Sequence, residues 1–317
     1  MSKLFFPLLL SFFGLFFIQN LQASCTLSPS ESNANFGKVN SFDIQTSQEE
    51  MVSTTMGLTC TIVTLVGILS EDKVTATIQN NSGFKLSNNS GNSIPYKLCK
   101  DMSCNDFYEN QDSIIWSSSQ LLALLSLGQF KVDLPLYLKI SPTTNIDLIA
   151  GTYTDTIYIK WDWFLCHVLG IGDLCVIRDS GSVTSTINVT LEVSNICEIN
   201  SAPNVNFGSA ALPSSFNTVD SSILQTRCTK DANYSIKLTS INGETDGMRQ
   251  MFEKVNGSNY IQYQLYRSGV AWTSTNDLSM TGLGVIQDIP YQAKINAGQQ
   301  NVPAGDYSDT VTVTVTY

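Results

Sequence analysis

The chain has 317 residues, of which only 14% are charged, and its formal net charge of -10 argues against a nucleic-acid partner, since phosphate binding needs a basic face. The length suits two domains. Gly, Ser, Thr, Asn and Val abound and no stretch sustains a helical apolar period, so short alternating strands between turn residues predict an all-β protein built of sandwiches.

Lys3 precedes a charge-free apolar run over residues 4–18, and Leu21-Gln22-Ala23 offers small-residue cleavage. This reads as a removable signal peptide over 1–24 and predicts export. The run is shorter than a membrane span of roughly 20 residues. A lipid on Cys25 is disfavoured by Gln22, because the third position before such a cysteine is normally aliphatic. Eight cysteines in an exported chain are expected to be oxidised, and their spacing suggests Cys25 with Cys60, Cys99 with Cys104, Cys166 with Cys175 and Cys197 with Cys228, although spacing alone does not fix connectivity.

In the first half, Cys25 leads through Asn35-Phe36-Gly37 to Cys60. Leu65, Val66, Ile68 and Leu69 then form an apolar run that reads either as a core strand or as an exposed loop. Ile94-Pro95-Tyr96-Lys97-Leu98 and Trp116 follow, before a second apolar run holding Leu121, Leu122, Leu124, Leu125 and Leu127, whose leucines also fit a small packed helix. The octet Ala150-Gly151-Thr152-Tyr153-Thr154-Asp155-Thr156-Ile157 begins a strand that reaches Lys160. A third apolar run, 161–176, carries Trp163, Phe164, Leu165, Val168, Leu169, Ile171 and Leu174. Gly170 and Gly172 permit a tight reversal between Cys166 and Cys175, which predicts a disulfide-braced finger, with core packing as the alternative. Val183, Ser185, Ile187, Val189, Leu191 and Val193 then alternate with polar residues and predict a strand that completes this half.

After the short link Asn195-Ile196 the landmarks return in the same order: Cys197, Asn206-Phe207-Gly208, Cys228, Ile261-Gln262-Tyr263-Gln264-Leu265, Trp272, and the octet Ala304-Gly305-Asp306-Tyr307-Ser308-Asp309-Thr310-Val311. The expected domains are therefore 25–195 and 196–317. Val311, Val313, Val315 and Tyr317 face one way and Thr312, Thr314 and Thr316 the other, as in a half-buried antiparallel strand. No closing strand follows in this sequence, so the second sandwich is expected to be incomplete, with an edge open to a strand from another chain. The alternative is a closed sandwich that ends at Tyr317.

This order of landmarks, with its closing run over 302–317, resembles the spore coat protein U domain family, strongly over 197–317 and partially over 25–160, where loops are longer and Cys99 stands in place of Tyr266. The family includes subunits of archaic, Csu-type chaperone-usher pili. The resemblance implies an immunoglobulin-like pilin fold, with a periplasmic chaperone, an outer-membrane usher and a next pilin subunit as partners. It also implies a final place on the cell surface. A complete first domain, an open second domain and the lack of an N-terminal segment to donate forward predict a place at the pilus tip. Tip members of the family are similar in attaching to abiotic surfaces through hydrophobic finger loops and in promoting biofilm formation. The three apolar runs are the expected contacts with a hydrophobic abiotic or host surface.

Other functions fit less well. With no CxxC pair and His167 as the only histidine, no metal or cofactor is expected. Catalysis is not expected either: there is no Gly-x-Ser-x-Gly elbow, and Asp155 and Asp309 recur within strand-edge motifs. A glycan-binding adhesin using Trp116, Trp161, Trp163 and Tyr153, or a structural coat or matrix subunit without a receptor, remain as rival readings.

Overall fold

The computed structural model describes residues 24–46, 50–62, 69, 71–143, 147–169, 175–255 and 257–317. Its first part contains β1 (Ser24–Leu27), β2 (Glu31–Asn40), α1 (Asp43–Thr46), β3 (Glu50–Thr61), β4 (Lys73–Asn80), β5 (Lys85–Ser87), β6 (Ser93–Cys99), β7 (Phe107–Tyr108), β8 (Ser113–Ser117), α2 (Ser118–Leu124), β9 (Gln129–Ile140), β10 (Gly151–Leu169) and β11 (Cys175–Ser194). They form two facing layers. One runs β1-β3-β9-β6 with β7 beside β6, the other β8-β4-β10-β11-β2, and β5 joins the layers at an edge. Alternation sets the inward faces: Phe130, Val132, Leu134, Leu136, Leu138 and Ile140 of β9 are buried, while Lys131 and Asp133 between them pair on the outside at 2.9 Å.

The second part contains β12 (Cys197–Ser201), β13 (Val219–Cys228), β14 (Asn233–Ser240), β15 (Glu244–Thr245), β16 (Met248–Glu253), β17 (Tyr260–Arg267), β18 (Val270–Ala271), β19 (Leu278–Thr281), β20 (Ile286–Ile295), β21 (Tyr307–Ser308) and β22 (Val311–Thr316). One layer runs β12-β13-β20-β17-β16-β15, with β18 and β21 flanking it. The other is only β19-β14-β22. The molecule is thus all-β, two immunoglobulin-like sandwiches in tandem, and each has its own hydrophobic core.

The four cysteine pairs are bonded as spacing suggested. Cys25–Cys60 joins β1 to β3, and Cys197–Cys228 joins β12 to β13, each at directly paired positions. A bridge closing a loop of that size stabilises by about 3 to 4 kcal/mol on the chain-entropy model.

Only Asn195 and Ile196 separate β11 from β12. Thr229 holds this link, its hydroxyl accepting from the Ile196 N–H at 2.8 Å and meeting the Ser41 hydroxyl at 2.8 Å across the seam. Arg227 lays its guanidinium 3.9 Å over the Phe42 ring, bonds Gln45, and donates to the Gly284 carbonyl at 2.9 Å. A planar cation that stacks and donates at once suits a partly dry interface.

Candidate acceptor groove and apolar tip

The two sandwiches differ at one strand. In the first, β10 lies between β4 and β11, and Ile187, Val189, Leu191 and Val193 of β11 are at most 2% exposed. Each such side chain contributes about 2 kcal/mol by leaving water. In the second, the octet leads into β22, which pairs with β14 as β10 pairs with β4: Val311 lies opposite Ser240, as Ile157 lies opposite Asn80. No strand covers the other edge of β22 among the described residues.

In that place lies a cavity of about 520 Å³, walled by Phe207, Leu224, Tyr263, Trp272, Val311 and Val313 among others. A second cavity of about 550 Å³ adjoins it and shares Val205, Phe207, Met251, Lys254 and Tyr307, extending the groove. Val315 packs on the same core, whereas Tyr317 lies past the end of β22 and is exposed. The far wall has a counterpart too. Gly37 and Gly208 both adopt positive φ, +81° and +77°, and each donates its N–H to the asparagine two residues earlier at 2.8 Å. In the first sandwich this turn interrupts β2, which runs parallel to β11; in the second it lies outside any strand.

A polar post, legible in sequence only as a recurring aspartate, stands at the base of each octet. Asp155 accepts from the Tyr96 hydroxyl at 2.6 Å and from Asn80 and Ser82 at 2.8 Å each. Asp309 accepts from the Tyr263 hydroxyl at 2.6 Å and from Asn242 at 3.0 Å. Burial first, and then the bond to a carboxylate, pushes both phenols well above the usual tyrosine range, so they remain neutral donors. The two aspartates are acceptors within a network, and among the described residues no second carboxylate bonds to them.

The three apolar runs have different fates. Leu69 lies between β3 and β4, outside any strand; Leu65, Val66 and Ile68 fall outside the described residues. The second run is the helix α2, started by Gln120, whose Oε1 accepts from the Ser117 N–H at 2.9 Å. Leu121 is fully buried, a correction for it as a surface contact, and Leu125, the extended residue that ends the helix, is partly buried against the same core. Leu122 and Leu124 are exposed, and Leu127 is completely so at 102%. Leu127 also has φ +48°, followed by Gly128 at +77°, in a two-residue turn closed by Ser126 N–H to Gln129 carbonyl at 2.7 Å. Such turns favour Asn-Gly, so a fully exposed leucine there is held against its preference.

The third run is built on paired strands, with the disulfide brace that the sequence predicts. Residues 161–169 are a continuation of β10, paired with β11 as far as Cys175 and braced by Cys166–Cys175. Leu165 is buried, and Trp163 and Phe164 are half-buried. The Trp163 ring lies over Gly181, where a Cβ would meet it at 2.1 Å. The side chains of Val168 and Leu169, and all of Ile171 and Leu174, lie outside the described residues. Val176, the last residue of the run, and Ile177, which the sequence did not single out, are exposed at the start of β11.

Strand registers put these places at one pole of the first sandwich. Lys73 pairs with Ser117, at the start of α2, and with Phe164 of β10, while the Ile62 N–H bonds the Gly128 carbonyl at 2.7 Å. The aromatic residues of the glycan reading are used internally: Trp161 is buried and donates to Ser185 at 3.0 Å, Tyr153 is buried and donates to the Ile149 carbonyl at 2.8 Å, and Trp116 stacks on Trp161. No helix among the described residues is long and apolar enough to cross a membrane, and no group of three or more potential metal ligands occurs among them.

Tandem sandwiches, one closed by its own strand and one open beside its last, define a protein of the pilin-like immunoglobulin class. The chain belongs to the Spore Coat Protein U domain family, whose profile matches residues 15–160 and 183–314. The fold is similar to a chain of the CsuC-CsuE chaperone-tip adhesion subunit pre-assembly complex from archaic chaperone-usher Csu pili of Acinetobacter baumannii. That likeness has 19% identity and a TM-score of 0.53, covering 93% of this chain and 100% of that one. The CupB6 tip adhesin from Pseudomonas aeruginosa is a weaker likeness at 14% identity and a TM-score of 0.40, covering 92% and 94% of the two chains. Comparison with curated proteins by sequence finds no match.

Proposed function

We propose that this chain is the tip adhesin of an archaic chaperone-usher pilus. It is exported, held in the periplasm by a chaperone, passed to an outer-membrane usher, and joined to the next pilin subunit by a strand inserted beside β22. The observation that carries this reading is the difference between the sandwiches: the place filled by β11 in the first is an apolar groove in the second. An open strand edge beside an apolar groove is suited to strand addition, with main-chain bonds giving affinity and alternate side chains giving fit. The signal peptide over 1–24 and the domains 25–195 and 196–317 belong to the same proposal, as does the tip of the first domain as the adhesive end.

At that end, Leu122, Leu124, Leu127, Val176 and Ile177 present exposed apolar groups. A handful of such groups gives weak, reversible attachment to a hydrophobic abiotic or host surface, and many pili on one cell multiply it, which promotes biofilm formation. The test is attachment to plastic by cells carrying Leu122→Ser with Leu124→Ser. Pili should be as numerous as in the wild type, with attachment reduced several-fold. Undiminished attachment at equal piliation rejects the apolar tip, and displacement by soluble sugars but not by mild detergent favours a glycan receptor instead.

A further inference from the structure

Asp72 is 2% exposed, and its carboxylate serves two backbone segments that are distant in sequence. One oxygen accepts the Leu69 N–H at 3.0 Å, and the other accepts the Cys166 N–H at 2.9 Å. The Asp72 N–H returns a bond to the Leu69 carbonyl at 3.0 Å at the entry to β4. From β11, Arg178 brings Nη1 within 3.7 Å of Asp72 and Nη2 within 2.8 Å of Glu71, while its guanidinium rests 4.3 Å from the Phe164 ring centre. One buried side chain thus joins the β3–β4 connection, β10 at its disulfide, and the start of β11. These contacts lie at the end of the core, next to its members Val74 and Leu165, and beyond the buried row of β11.

We propose that Asp72 is the positioning residue of the apolar tip, fixing the connection that carries Leu69 against the hairpin that carries Val176 and Ile177. The proposal rests on the surface-attachment reading above. Asp72 acts through its two acceptor oxygens, one meeting the part-buried Leu69 N–H and the other the buried Cys166 N–H. It makes no contact with the surface itself.

Hydrogen exchange on the full chain tests this directly. In Asp72→Ala, exchange at the Leu69 and Cys166 amides should rise about tenfold or more, while Ile187 and Val189 in the core keep their protection. Asp72→Asn retains one acceptor oxygen and should keep one of the two amides protected, a partial rescue that general loosening of the sandwich would not give. A pH series adds a sign. Burial, outweighing the two backbone bonds and Arg178, holds the Asp72 carboxyl above its usual range, with Glu71 pushing the same way. The folded chain therefore takes up this proton before the unfolded one does, and the folded state gains stability as pH falls through that range. This contribution to the melting temperature of the wild type should vanish in Asp72→Ala.

Unchanged exchange at both amides in Asp72→Ala overturns the assignment, as does an equal rise throughout the core. If that variant does not fold, Asp72→Asn decides, since full protection at both amides also overturns it. Attachment by piliated cells carrying Asp72→Ala separates the two proposals: loosened amides with full attachment keep the fastening and reject the adhesive role of the tip.

Discussion

Leu127 sits where its backbone geometry and its full exposure both disfavour leucine. It occupies the left-handed region in a turn whose two central positions both need positive φ, and no part of its side chain is covered. Asparagine tolerates that conformation far better than leucine. Leu127→Asn should therefore raise the melting temperature slightly, by the equivalent of roughly 1 kcal/mol, and lower attachment to plastic. A drop in both would mean that Leu127 packs usefully after all. Gly181 is held by a different constraint: the Trp163 ring fills the place of any side chain, so the hairpin keeps its aromatic cover only with glycine opposite.

Among the elements, β11 and β22 carry the functional contrast, and both were legible because each alternates cleanly, as in Val183 to Val193 and Val311 to Val315. The extension of β10 was not. Its residues 161–169 are nearly all large and apolar, and a register shift between Cys166 and Val168 breaks the two-residue period that would have marked a strand. The leucines after Trp116 did carry part of their answer, since their helical spacing matches α2, in which Leu121 is buried while Leu122 and Leu124 are exposed. The Tyr-Asp-Asn posts stayed hidden because Asn80, Tyr96 and Asp155 meet only after three strands have packed. Likewise, nothing local to Asp72 foretold its reach to Cys166. The strand contrast also permits a graft. A copy of 183–193 placed after Tyr317 through a short Gly-Ser linker should fill the groove, raise the melting temperature of the full chain and keep it monomeric. The same graft with aspartate at the positions of Ile187, Val189 and Leu191 should do neither. Equal melting of the two grafts would show that the groove does not accept a strand with this pattern.

At the scale of the molecule, the exposed residues of α2 and of the start of β11 lie at the opposite pole of the first sandwich from the second. Ser41, Phe42, Gln45 and Ile149 meet the second sandwich, and β10 leads away from this seam through 19 residues, a length of about 60 Å for an extended strand. Arg227 ties the seam from two sides, so Arg227→Ala should widen the range of inter-domain distances seen by small-angle scattering while each sandwich melts as before. Identical scattering curves would place the stiffness elsewhere, in the two-residue link or at Thr229.

The different ownership of the closing strand also gives the sandwiches different responses to dilution. β11 is tethered beside its groove, so its local concentration is set by the chain, and the first sandwich keeps its strand at any protein concentration. A strand supplied to β22 by another molecule is subject to mass action, and the stability that it lends falls as its donor becomes scarce. The first sandwich would then survive conditions in which the joint at the second comes apart.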